Sequence, residues 1–118
     1  MLELLGRWLE RYPILSLEDP VAEDDTAGSR AFTAAWGDRV QVVGDDLLVT
    51  SPDRVRRGVA EHWCNAALIK VNQVGTVSEA RAACAEARAA GWGTLVSARS
   101  GDTEDLSIVH LATGWDAG

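Results

Sequence analysis

The chain has 118 residues, of which 47% are hydrophobic and 25% are charged, a composition typical of one soluble globular domain. Its formal net charge of -7 disfavours nucleic acid and anionic membrane surfaces as partners, because both attract clustered lysine and arginine. Carboxylate oxygens are the ligands that hard cations such as Mg²⁺ prefer. The acidic composition therefore leaves a cation-binding function open.

The first thirteen residues, MLELLGRWLERYP, carry glutamate and arginine within an apolar pattern. This pattern indicates an amphipathic helix that ends before Pro13 and not a signal peptide. No run in the sequence approaches the roughly 18 apolar residues of a membrane span. The two cysteines, Cys64 and Cys84, lack a metal-binding spacing and indicate free thiols in a reducing compartment. We therefore expect a cytoplasmic protein that does not bind membranes.

Strands and helices are predicted to alternate through the next part of the chain. ILSLED, residues 14–19, reads as a strand, and DDTAGSRAFTAAWG opens a helix with aspartates and closes it at Gly37. VQVVGDD, residues 40–46, is the second predicted strand. Ser51 as N-cap and Pro52 at the first helical position then start another helix.

The same alternation continues to the end of the sequence. AALIKV, residues 66–71, is the third predicted strand, and a helix follows over residues 76–90 until Gly91 stops it. GTLVSARS, residues 93–100, is the fourth strand, and TEDLSIVHLATG forms a last helix capped by Thr103. This alternation predicts an α/β fold of parallel βα units with right-handed crossovers.

Polar side chains stand at or just beyond the carboxyl ends of the predicted strands. Glu18, Asp45 and Lys70 end the first three strands, and Arg99 follows the fourth. Parallel α/β folds bind ligands at this edge of the sheet, so the four groups are expected to converge. Singly, each has a simpler interpretation as a helix-capping acid, a salt-bridged lysine or a surface arginine. Their joint position favours a functional site.

These residue types suit one kind of chemistry. Two carboxylates on neighbouring strands repel each other unless a cation lies between them, and Mg²⁺ fits that role. A lysine held beside such a cation has its ammonium form disfavoured and can act as a base. Arg99 and Ser100 offer a planar fork and a hydroxyl to a carboxylate or phosphate. The set predicts proton abstraction next to a carboxylate, with the metal stabilising the developing charge.

Four segments carry a family resemblance: YPILSLEDPVAEDD, VQVVGDDLLVTSP, ALIKVNQVGTVSEA and GWGTLVSARSGDTED. In order and spacing they closely resemble the C-terminal barrel domain of enolase (phosphopyruvate hydratase), from about residue 5 to residue 114. The resemblance implies that residues 1–118 form a single partial domain, about four strands of an enolase-type TIM-like (β/α) barrel. It also implies the Mg²⁺-dependent, reversible dehydration of 2-phosphoglycerate to phosphoenolpyruvate, a lyase reaction of glycolysis.

The resemblance assigns roles to individual positions. Glu18 and Asp45 match two carboxylate ligands of the tightly bound metal, and Lys70 matches the base that removes the proton alpha to the substrate carboxylate. Arg99 and Ser100 match contacts to the substrate phosphate. The positions implied to contact substrate are Glu18, Asp45, Ser97, Arg99 and Ser100.

The sequence departs from the family pattern in two ways. The family motif reads Ser-His-Arg-Ser where this chain has Ser97-Ala98-Arg99-Ser100, so a methyl group replaces the histidine. The N-terminal enolase domain and the final barrel strand, which brings a further substrate-binding lysine, also lie outside residues 1–118. We therefore expect the chain alone to be inactive and to associate with itself or a partner or be marginally folded, and the full-length form to be a homo-oligomer.

Three alternatives compete with this assignment. A non-catalytic truncated paralogue or remnant would act only through association, and Ala98 favours it. A phosphoacceptor receiver domain places its lysine after its last strand, whereas Lys70 precedes the serine-containing strand. The sugar-acid dehydratases and racemases of the wider superfamily match IKVNQVGT and RSGDTED less well than enolase does.

Overall fold

Residues 1–117 are described by a computed structural model in which helices and strands alternate. The helices are α1 (Leu2–Arg11), α2 (Thr26–Trp36), α3 (Pro52–Glu61), α4 (Val71–Val74), α5 (Val77–Ala89) and α6 (Ser107–Gly114). The strands are β1 (Ser16–Glu18), β2 (Gln41–Gly44), β3 (Ala66–Lys70) and β4 (Gly93–Ser97). None of the helices in this part of the chain has the length and apolar character needed to cross a bilayer.

The four strands form one parallel sheet in the order β1-β2-β3-β4. Each strand therefore pairs with the next one along the chain, as successive βα units do in the wall of a (β/α) barrel. Among the described residues, β1 and β4 have one strand neighbour each, so the sheet is an open arc. This topology confirms the predicted α/β class and the predicted four strands of a partial barrel.

The main hydrophobic core lies between the sheet and the helices. Val42 from β2 and Ile69 from β3 belong to it, together with Phe32 from α2 and Val55 from α3. Trp63, which is 1% exposed, is its largest fully buried side chain. Burying each of the aliphatic and phenylalanine side chains contributes about 1.5–3 kcal/mol, so this face fixes the sheet against its helical layer.

The opposite face of the sheet carries a second, smaller apolar cluster. Val43, Ala66 and Leu68 are buried in it, and Leu95 packs against them. Side chains alternate between the two faces of a strand, so these residues and the members of the main core point in opposite directions. We call this second surface the inner face of the sheet, because it corresponds to the interior of a barrel.

Three predicted helix starts are confirmed by side-chain capping bonds. Asp25 accepts a hydrogen bond from Gly28 N at 2.8 Å, and Thr76 Oγ1 accepts one from Glu79 N at 3.2 Å. Ser51 Oγ accepts from Arg54 N at 3.4 Å, with proline in the first turn of α3. These contacts satisfy backbone donors that have no partner inside the helix.

The predicted cap of the last helix is wrong. Thr103 does not start a helix, because α6 begins at Ser107 with Leu106 as its N-cap. Asp105 Oδ1 accepts the Ser107 N–H at 2.6 Å in the loop before the helix. An aspartate two residues before a backbone donor forms such a local turn readily. The helix therefore begins after Asp105 and not directly after Thr103.

Each strand is shorter than predicted. β1 stops before Asp19, whose φ is 39°. β2 stops at Gly44, because the carbonyl of the next residue, Asp45, accepts hydrogen bonds within the following turn. Val71 begins α4 and so does not extend β3, and residues 98–100 lie beyond β4. Gly37 ends α2 as predicted, with a right-handed φ of -60° that any residue can adopt, although a Cβ at this position would lie only 2.6 Å from Thr33 O.

Candidate metal and base site at the strand ends

The register of the sheet brings the predicted site residues to one face. Four residues, one from each strand, are register partners and form one row across the sheet: Glu18, Val43, Ala66 and Gly93. Asp45, directly after β2, is two residues beyond the row member of that strand. Lys70 and Ser97 are each four residues beyond the row members of β3 and β4. Strand side chains alternate with a period of two, so these three side chains share the inner face with Glu18.

Lys70 and Asp45 meet at the centre of this group. Lys70 Nζ donates to Asp45 Oδ2, and the two side chains are only 12% and 8% exposed. The second oxygen, Asp45 Oδ1, is buried and accepts no hydrogen bond from any residue in the described part of the chain. A buried carboxylate oxygen without a donor costs about 1–3 kcal/mol or more. The pair therefore leaves one buried anionic oxygen available to a cation.

Glu18 adds a second carboxylate to the same face. Partial burial raises the pKa of the Glu18 carboxyl, the Asp45 carboxylate raises it further, and Lys70 opposes this shift. Such a shift means that the two carboxylates feel each other's charge. One lysine facing two carboxylates leaves the cluster negative, which is the charge that a divalent cation neutralises.

Asp19, which the sequence analysis did not single out, holds the chain that follows β2. Its Oδ1 accepts the Asp45 N–H at 3.0 Å, and its Oδ2 accepts the Asp46 N–H at 2.7 Å. Oxygens of these three aspartates lie within 4.8 Å of one another. Because both Asp19 oxygens already accept backbone N–H groups, Asp19 positions Asp45 and is not the most available ligand. Its signal in the sequence is an aspartate directly before Pro20 at a strand end.

The turn after β2 is tight, and it leads back to β3. Leu48 N and Val49 N both donate to Asp45 O, at 3.0 and 2.7 Å. A Cβ added to Gly44 would lie 2.8 Å from Leu48 Cδ1, so a larger residue here would have to displace the buried Leu48 side chain. The turn delivers the buried Thr50 to the end of β3, where its hydroxyl accepts the Lys70 N–H at 2.9 Å. Thr50 was also missed by sequence reasoning.

The residues after β4 are more open. Ser97 pairs with Lys70 in the sheet register and is half-buried, whereas Arg99 and Ser100 are exposed in the loop that follows. Within residues 1–117, no carboxylate forms an ion pair with Arg99. Ala98 is half-buried and presents only a methyl group. Whether Ser97, Arg99 and Ser100 contact a substrate stays a prediction.

A cavity of about 340 Å³ lies beside Ser97, between α4 and α6. Asn72 and Asp102 also line it, and Asn72 Nδ2 donates to Asp102 Oδ2 at 3.2 Å. Neither of the two predicted metal ligands lines this cavity, and neither does Lys70. The cavity is therefore separate from the Lys70–Asp45 pair.

The chain is similar to known proteins along its whole length. Residues 1–118 match the family described as Enolase, C-terminal TIM barrel domain. The enolase of Eimeria tenella is 51% identical over 116 residues, which is 98% of this chain and 26% of that protein. Enolase 2 of Pseudomonas syringae pv. syringae (strain B728a) is 48% identical over 118 residues, 100% of this chain and 28% of that protein. The enolase of Solanum lycopersicum is 48% identical over 116 residues, 98% of this chain and 26% of that protein.

The chain thus spans about a quarter of the length of these curated relatives. It belongs to the enolase C-terminal TIM barrel domain family, as its motifs predicted.

Proposed function

We propose that this chain carries the metal-binding and proton-abstracting part of an enolase, a lyase that reversibly dehydrates 2-phosphoglycerate to phosphoenolpyruvate. The observation that carries the proposal is the buried Lys70–Asp45 pair, in which Asp45 Oδ1 has no donor among the described residues. A lysine beside a carboxylate with a free buried oxygen supplies both a candidate base and a candidate metal ligand. Membership of the enolase family supports the reaction and its substrate class.

The charged cluster fits Mg²⁺ as the cofactor. Glu18 and Asp45 would hold the ion through carboxylate oxygens, which are hard ligands, and the free Asp45 Oδ1 is the best placed of these atoms. When bound, Mg²⁺ supplies a positive charge that stabilises the negative charge developing on the substrate carboxylate. Asp19 would keep the Asp45 backbone in place through its own hydrogen bonds.

Lys70 would act as the base toward the proton alpha to the substrate carboxylate. In the structure its Nζ donates to Asp45 Oδ2, and an ammonium held on a carboxylate has no lone pair with which to accept a proton. Lys70 must therefore release both this contact and one proton before it can act. The chain contains no other lysine, so this role has no alternative candidate of the same type within these residues.

Arg99 and Ser100 are proposed to contact the substrate phosphate, with Ser97 at the start of their loop. Support comes from the family motif and from the exposed, unpaired state of the Arg99 guanidinium within residues 1–117. Because the methyl side chain of Ala98 cannot hydrogen-bond as the family histidine would, and because Lys70 is the only lysine, we propose no turnover by these 118 residues alone. On the family alone, we propose a cytoplasmic, homo-oligomeric full-length form.

Calorimetric titration of the chain with Mg²⁺ tests the metal assignment. Asp45→Asn and Glu18→Gln should each weaken binding by about tenfold or more, by analogy with the 10–100-fold loss typical of perturbed metal sites. Asp38→Asn is the control, because Asp38 is an exposed carboxylate outside the group formed by Asp19, Asp45 and Asp46. Equal Mg²⁺ affinity in Asp45→Asn and Asp38→Asn would contradict the proposal. Phosphorus NMR with 2-phosphoglycerate, comparing wild type with Arg99→Gln, tests the phosphate contact separately.

A further inference from the structure

Thr50 lies between β2 and α3, and its side chain is completely buried against the end of β3. Its Oγ1 accepts the Lys70 N–H at 2.9 Å. The same oxygen lies 3.1 Å from Gln73 Oε1 and 3.4 Å from Leu68 O, both of which are acceptors. A hydroxyl has one proton and two lone pairs, so Thr50 accepts from Lys70 and shares its proton between the two acceptors. The side-chain hydrogen bonds that Thr50 makes are all directed at β3 and α4.

These contacts replace a missing strand partner. The pairing of β2 with β3 ends at Gly44 and Ala67, so β3 runs on past its neighbour. In a parallel sheet, the residue of the neighbouring strand opposite Ile69 would accept the Lys70 N–H and donate to Leu68 O. The Thr50 hydroxyl does both with one atom. It satisfies backbone groups that would otherwise be buried without partners.

The chain adopts an unfavourable backbone to place this hydroxyl. Val49 has a φ of 47° and Thr50 a φ of 53°, and both are β-branched residues in the left-handed region. Such residues are outliers there, and they persist only where surrounding contacts enforce the conformation. The contacts at this turn are the backbone hydrogen bonds from Leu48 N and Val49 N to Asp45 O and the contacts of the Thr50 hydroxyl with the end of β3.

We propose that Thr50 is a positioning residue for Lys70. Lys70 is both the last residue of β3 and the N-cap of α4, and Gln73 lies inside α4. The Thr50 hydroxyl therefore contacts both β3 and α4 where they join at Lys70. By fixing the backbone at this junction, it orients the lysine side chain so that Nζ reaches Asp45. The proposal rests on the proposed function only in taking Lys70 as the base.

The test uses the fact that Lys70 is the only lysine of the chain. Protein labelled with ¹³C,¹⁵N-lysine gives one backbone amide signal and one set of side-chain signals, all from Lys70. Thr50→Val keeps the shape and removes the hydroxyl, whereas Thr50→Ser keeps the hydroxyl and removes a methyl group. Val49→Asn is the matched control, because asparagine tolerates the left-handed conformation and Val49 has no hydrogen bond to Lys70.

We expect the Lys70 amide of Thr50→Val to exchange with solvent about tenfold faster, as befits the loss of one buried hydrogen bond, and the Lys70 side-chain signals to shift. Thr50→Ser and Val49→Asn should keep wild-type exchange and wild-type shifts. Unchanged Lys70 signals in folded Thr50→Val would overturn the proposal. If Thr50→Val does not fold, Thr50→Ser decides, since wild-type Lys70 signals support the proposal and displaced signals overturn it.

Failure of the proposed function would show itself differently. It would appear as the absence of Mg²⁺ binding by the wild-type chain, with the ranking of the Thr50 variants unchanged. The Lys70 signals are measured without metal or substrate, so the two ideas can fail independently.

Discussion

Replacing Lys70 by methionine removes the ammonium that faces the buried Asp45 carboxylate while keeping a side chain of similar length. The lysine and aspartate side chains are 12% and 8% exposed, so the pair is largely shielded from water. Removing one partner of a buried pair costs about 3–5 kcal/mol, because an uncompensated charge remains. Both side chains keep some contact with solvent, and we therefore expect Lys70→Met to lose about 3 kcal/mol of unfolding free energy.

The assay is urea unfolding followed by tryptophan fluorescence near pH 7, with Trp63 as a buried reporter. Wild type, Lys70→Met, Asp45→Asn and the double variant form a double-mutant cycle. The two losses should not add, and the interaction energy should reach about 1–3 kcal/mol. Arg99→Met is the control, because Arg99 is exposed and should change stability by less than about 0.5 kcal/mol.

Mg²⁺ adds a second arm to this experiment. Lys70 and a cation compete for the same carboxylate, so removal of the lysine should increase the stabilisation that Mg²⁺ confers through binding to the folded state. Lys70→Met should therefore recover part of its lost stability when Mg²⁺ is added, whereas Asp45→Asn should not. Strictly additive losses, together with an equal response of both variants to Mg²⁺, would refute the coupled pair on which the proposed site rests.

Two further predictions concern residues outside the charged cluster. Burial raises the pKa of the Cys64 thiol to about 12, so the unfolding free energy should fall as pH rises above the unfolded value of about 8.5, by up to about 1.4 kcal/mol per unit. Urea titrations at about pH 8 and about pH 10 should show this loss in wild type and not in Cys64→Ala. Asn65→Ala should cost about 2–4 kcal/mol, because Asn65 Oδ1 accepts from Val42 N at 2.7 Å and Nδ2 donates to Gly37 O and Val40 O at 2.9 and 3.1 Å. Asn65→Asp keeps the acceptor for Val42 N but turns a second carboxylate oxygen toward the Gly37 and Val40 carbonyl oxygens, so it should cost at least as much stability as Asn65→Ala in the same assay.

Sequence patterns were sufficient to predict the four parallel strands, the N-cap at Ser51 and the helix starts near Asp25 and Thr76, because these depend on local spacing and local hydrogen bonds. The face shared by Glu18 and Lys70 could be predicted for the same reason, since strands alternate with a fixed period. Contacts that depend on an irregular turn could not be predicted in this way.

Thr50 illustrates the limit. A β-branched residue argues against a left-handed turn, so neither the conformation of Thr50 nor its reach to β3 follows from local propensity. Asp19 was similarly assigned to a strand, whereas its left-handed φ of 39° aims both carboxylate oxygens at the next turn. Thr103 failed as a cap because the side chain of Asp105 satisfies the Ser107 N–H.

Asp19 and Thr50 hold the two ends of the segment that carries Asp45. Asp19 binds the backbone N–H groups at its start, and Thr50 binds β3 at its end. The carboxylate and the lysine are therefore brought together by hydrogen bonds to backbone groups, in addition to their mutual attraction. It follows that Asp45 should stay buried when Lys70 is replaced, so the expected loss of stability measures an uncompensated charge and not the collapse of the turn. A cation that restores the charge should then restore the stability, because the carboxylate is still in place to receive it.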